Sequence, residues 1–93
     1  MPTGAWLAYD WRGRASEYHR AQIRETLGFR PATVQDAEDL AHWLAAEIAP
    51  REDRPDQLQV AAYARCRALR IEPPAPARVE RLARSAWQTY EGA

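Results

Sequence analysis

The chain has 93 residues, 46% apolar and 28% charged, and its 13 basic side chains balance 13 acidic ones to a net charge of zero. That length suits a single domain and leaves little material for a large enzyme cleft, while the mixed composition is that of a folded protein and not of a disordered tail. There is no long apolar run and no basic segment leading into one, and the lone Cys66 has no partner for an internal disulfide, so a cytoplasmic protein without a membrane span is expected.

Every basic residue is arginine, and the signs are unevenly spread. Residues 1–35 carry five arginines against three acids, residues 36–56 two against seven, and residues 57–93 six against three. A phosphate backbone responds to local potential, so a neutral total leaves nucleic acid open as a partner while arguing against strong non-specific binding.

In chain order, residues 3–13 bring Trp6, Tyr9, Trp11 and Gly13 together without a sustained period, which predicts a short segment that docks aromatic rings on the core. Residues 16–27 lack Pro and Gly, keep Ser16, His19, Ile23 and Leu27 on one face and end at Gly28, which predicts a first helix. A second helix over 33–49 starts at the capping-box variant Thr33-Val34-Gln35-Asp36 and carries an apolar stripe of Val34, Ala37, Leu40, Ala41, Leu44 and Ile48 until Pro50. After a charged, Pro-bounded loop, a third helix over 56–70 follows with the stripe Leu58, Ala61, Ala62, Cys66 and Leu69. The prolines of Ile71-Glu72-Pro73-Pro74-Ala75-Pro76 demand an extended spacer, with Pro76 suited to open the last helix, 76–90. That helix buries Val79, Leu82, Ala83, Ala86 and Tyr90. The expected fold is all-α: a single domain over 1–93, a bundle of about four helices with a helix-turn-helix-like C-terminal pair.

The opposite face of the last helix carries Arg78, Arg81, Ser85 and Gln88, with Arg84 on its border. Guanidinium forks suit phosphates and guanine edges, and Gln suits adenine. A solvated arginine face laced by i, i+4 ion pairs explains the same pattern. A second basic cluster, Arg12, Arg14, Arg20, Arg24 and Arg30, is interleaved with Tyr9, Trp11, Tyr18 and His19, as sugar-phosphate contact and stacking require. Arginine stems lying over core aromatics explain it equally. His19 and His42 form no ligand set with Cys66, so no metal and no cofactor are expected. No nucleophile frame or glycine-rich phosphate loop is present, and the acids Asp36, Glu38, Asp39 and Glu47 read as a solvated helix face.

Several stretches resemble the N-terminal region of Tn-three-family transposases. They are Tyr9-Asp10-Trp11-Arg12-Gly13-Arg14 running into Tyr18-His19-Arg20-Ala21-Gln22-Ile23-Arg24, then Leu27-Gly28-Phe29-Arg30, and finally Arg70-Ile71-Glu72-Pro73-Pro74 with Val79-Glu80-Arg81-Leu82. With the Trp43-Leu44-Ala45 helix they cover nearly the whole chain, in matching order and spacing. The resemblance implies a helical DNA-binding module that helps recognise the terminal inverted repeats of a transposon during DNA transposition and recombination. It implies contacts from Arg14, His19, Arg20, Arg24, Arg30, Arg78, Arg81 and Arg84. It also implies double-stranded DNA, the remaining transposase domains and a second copy as partners. The chain departs from the family in lacking the large downstream body with its metal-dependent acidic triad, so no catalysis is expected of it. The other reading is a non-catalytic protein-interaction or structural domain, a transposase remnant without DNA affinity.

Overall fold

The computed structural model describes residues 17–92, apart from the side chains of Glu17, Tyr18, His19 and Ile23. The expected docking segment 3–13, Ser16 and Arg14 lie outside the described residues, as does the His19 side chain. The described chain is an all-α bundle with only two short stretches of strand.

Helix α1, Glu17–Leu27, stops at Gly28, whose φ of 73° is the left-handed turn that glycine adopts without a Cβ clash. The Phe29 amide then donates to the Arg24 carbonyl at 3.1 Å, the six-residue closure of a Schellman turn. Strand β1, Arg30–Pro31, follows at once and pairs in parallel with β2, Ile71–Glu72, Arg30 opposite Ile71. The extended spacer anticipated from its prolines is therefore partly a strand, because β1 offers it a backbone partner.

Helix α2, Val34–Trp43, begins with the full capping box: the Asp36 amide donates to the Thr33 hydroxyl, and the Thr33 amide donates to the Asp36 carboxylate. One uninterrupted helix was expected up to Ala49. The chain instead widens to a π-helical stretch, Leu44–Ile48, and closes in a 3-10 turn, Ala49–Arg51, that contains Pro50. In an α-helix the Pro50 ring would strike the carbonyl four residues back, at Ala46. The wider turn, with the Ala49 amide donating to Leu44, shifts that carbonyl and lets the chain continue through the proline.

Helix α3, Gln57–Ala68, and helix α4, Pro76–Glu91, complete the bundle, with Pro76 in the first turn of α4 as its fixed φ favours. Leu44, Leu58 and Val79 are fully buried and, with Leu40, Ala62, Cys66, Ala83 and Ala86, make one continuous core. Helices α2 and α4 run side by side in the same direction. Val34 and Ala37 share a groove with Arg78, and Ala41, His42 and Ala45 share one with Ser85, Ala86 and Thr89.

Three residues assigned to apolar stripes are not in the core. Val34 is 70% exposed because it sits in the first turn of α2, beyond the edge of the bundle, and Leu69 is 51% exposed because α3 ends at Ala68. Tyr90, in the last turn of α4, is partly exposed and leans on the half-buried Trp87, their ring centroids 5.6 Å apart. In their place the core takes Tyr63 and Phe29. Among the described residues no helix is long and apolar enough to cross a membrane.

Candidate nucleic-acid interface

The exposed face of α4 is fixed by its buried one. Val79, Ala83 and Ala86 point into the core, so Arg78, Arg81, Arg84, Ser85 and Gln88 are left on the outside, and all five are exposed. Arg78 and Arg81 have no carboxylate partner among the described residues. Arg84 donates to Glu80 at 2.8 Å, an i, i+4 pair with both side chains more than half exposed. Such a pair contributes about 0.3–0.5 kcal/mol and exchanges readily for another anion. One edge of the stripe is not basic, because Ser85 lies in a groove with Glu38 and His42 of α2.

The arginines of the first half are differently placed. Arg20 Nη1 lies 2.9 Å from Glu72 Oε2, and Arg24 Nε lies 3.0 Å from Glu72 Oε1, so one carboxylate on β2 holds two guanidinium groups one turn apart on α1. These side chains are mostly covered, Arg20 at 14%, Arg24 at 29% and Glu72 at 15% exposure. Arg30 makes a bidentate pair with Asp36, at 2.6 and 3.0 Å. The expected contact residues Arg20, Arg24 and Arg30 are thus engaged with carboxylates and not presented bare to solvent. The cause is that the chain brings β2 against α1 and the α2 cap against β1.

Glu72 nevertheless draws part of the expected set together. It lines the same groove as Arg78, along with Pro31, Thr33, Val34 and Pro73 to Ala75. Arg20 and Arg24 therefore reach the edge of the α4 stripe through one shared acid. Sequence reading missed this role, and the signal was slight: Glu72 is the one acid within the extended, Pro-rich spacer.

Arg70 was also missed as an organiser. It adopts φ 56°, rare for a residue with a side chain, and in that conformation its carbonyl accepts from the Arg30 amide at 3.0 Å. Its guanidinium donates to the Leu27 carbonyl at 2.6 Å, placing a cation at the negative end of α1. Arg65 covers the Trp43 ring at 4.8 Å from the centroid. Arg67, not singled out by sequence, is exposed without a carboxylate partner among the described residues.

A second, apolar hollow lies between α2 and α3, walled by Leu40, Cys66, Leu69, Ile71 and Pro74 and rimmed by Asp36, Asp39 and Arg65. Burial, reinforced by the Asp36 charge, pushes the Cys66 thiol up to about 11. The thiol stays protonated and inert at neutral pH. Among the described residues no three His, Cys, Asp or Glu side chains are grouped to hold a metal ion.

The family described as Domain of unknown function (DUF4158) matches residues 1–86. No curated protein and no solved structure matches the chain.

Proposed function

Because the chain belongs to the DUF4158 family, which is found in Tn-three-family transposases, we propose that it is a non-catalytic DNA-binding module that recognises the ends of a transposon for a larger transposase. The carrying observation is the α4 face, where Arg78 and Arg81 stand exposed with no carboxylate partner among the described residues, next to the weakly paired Arg84 and the exposed Gln88. Arginines so placed exchange water and counterions for phosphate oxygens at little cost, and the straight, exposed helix between them has the width a major groove admits. The order of motifs shared with the transposase N-terminal region supports duplex DNA over other polyanions.

The test is a titration of the full chain against a duplex bearing the terminal inverted repeat that flanks its coding sequence, beside a scrambled duplex of equal composition. Binding to the repeat is expected to be tighter and to weaken steeply with salt. The double variant Arg78→Ala, Arg81→Ala is expected to lose about 1–3 kcal/mol of binding and to flatten the logarithmic salt slope by about two, with its melting temperature nearly unchanged. Equal affinity for both duplexes removes sequence recognition, and no binding to either removes the DNA role.

A second reading is favoured by a different observation. Val34 and Leu69 are large, exposed and apolar, and Leu69 borders the hollow between α2 and α3. On that reading the chain is a packing or interaction domain, and its marker is association with itself or with the transposase body without affinity for DNA.

A further inference from the structure

We propose that Glu72 occupies, in the unbound chain, a phosphate subsite formed by Arg20, Arg24 and Arg78, and that a phosphate of the DNA backbone displaces it. This inference rests on the DNA-binding reading above and adds to it a second contact point, on α1, that is masked until the duplex arrives.

The geometry is that of a carboxylate standing where a phosphodiester would. Each Glu72 oxygen takes one guanidinium, Oε2 from Arg20 at 2.9 Å and Oε1 from Arg24 at 3.0 Å, as two non-bridging phosphate oxygens would. Arg78 lines the same groove, so three guanidinium groups gather at the single negative charge of Glu72 and the locus keeps an excess of positive potential. The groove is open, and Arg24 retains 29% of its surface, so an incoming anion has access.

Displacing the carboxylate need not undock α1. The helix is also held by the Arg70 guanidinium on the Leu27 carbonyl, by the Arg30 amide on the Arg70 carbonyl, and by Phe29 in the core, none of which uses the Glu72 side chain. The spacer from Glu72 to Pro76 leads directly into α4. A phosphate seated on Arg20 and Arg24 therefore lies at a set distance from those on Arg78 and Arg81.

The test is Glu72→Gln, which keeps the shape of the side chain and removes its charge. Binding to the scrambled duplex is expected to tighten by about tenfold, with the logarithmic salt slope steeper by about one to two, because two guanidinium groups no longer carry their own counter-charge. Adding Arg20→Gln and Arg24→Gln should abolish that gain. A lowered melting temperature with unchanged affinity and slope would show that Glu72 is only a structural tie and would overturn the proposal. Should Glu72→Gln fail to fold, Arg24→Gln in the native background decides instead: the subsite requires a shallower slope, and an unchanged one overturns it. Titration with inorganic phosphate alone separates the sources, since a gain there with none for the duplex would overturn the assignment to DNA. Loss of wild-type binding in the Arg78, Arg81 variant reports on the α4 reading separately, so each idea fails by its own measurement.

Discussion

The carboxylate of Asp36 accepts from the Arg30 guanidinium, from the Thr33 amide at 2.8 Å and from the Thr33 hydroxyl at 3.0 Å. All three favour its charged form, the Arg30 fork most, so its carboxyl is held well below the usual carboxylate range. An unfolded chain lacks these donors and binds a proton near the ordinary value of about 3.9. The contribution of the pair is therefore whole above about pH 5 and is lost as the pH falls below about 4 toward the lowered folded value. Melting temperatures of Asp36→Asn and the native chain should differ most near neutral pH and converge toward pH 3, and a constant gap across that range would count against the pairing. The same carboxylate also explains why Arg30, which the sequence offered as a DNA contact, is unsuited to that task. Its fork is already matched by a better-placed partner within the chain.

At the scale of elements, the capping box, the Gly28 stop, the Pro76 start and the buried face of α4 were all legible, because each depends on residues adjacent in sequence. Leu40, Leu44, Leu58 and Val79 were placed in the core by period alone. What escaped depends on contacts across the chain. The π-helical passage over Pro50 is chosen because the turn after Trp43 packs on both α3 and α4 and is worth keeping helical. Tyr63 is buried off the expected stripe because α3 is covered on more than one side. The same long-range logic divided the arginines, since no spacing rule shows that Glu72 will meet Arg20 and Arg24, 52 and 48 positions away. The core assignment has a direct check in Leu44→Ala. Removing a fully buried side chain from the π-helical turn should cost about 2–5 kcal/mol in urea unfolding, whereas Val34→Ala on the same helical run should stay within about 0.5 kcal/mol.

For the whole molecule, the four helices are not equally secured. Helices α2, α3 and α4 meet through the continuous apolar core, whereas the described side chains of α1 reach that core only through Leu27, with Phe29 just beyond the helix end. The rest of its attachment is polar: two guanidinium groups on Glu72, the Arg70 cap, and the short β1–β2 bridge. Polar ties weaken with salt far more than apolar burial does, which sets up two tiers of local stability. Native-state hydrogen exchange should show amides of α1 opening with a smaller free energy than those of α2 to α4. Raising the salt from about 0.05 to 0.5 M should widen that difference, because it shortens the screening length below the reach of partly exposed pairs. Uniform protection across all four helices, insensitive to salt, would mean that α1 is fixed by packing, and with it would go the physical basis for a helix whose charges can be handed from Glu72 to a phosphate.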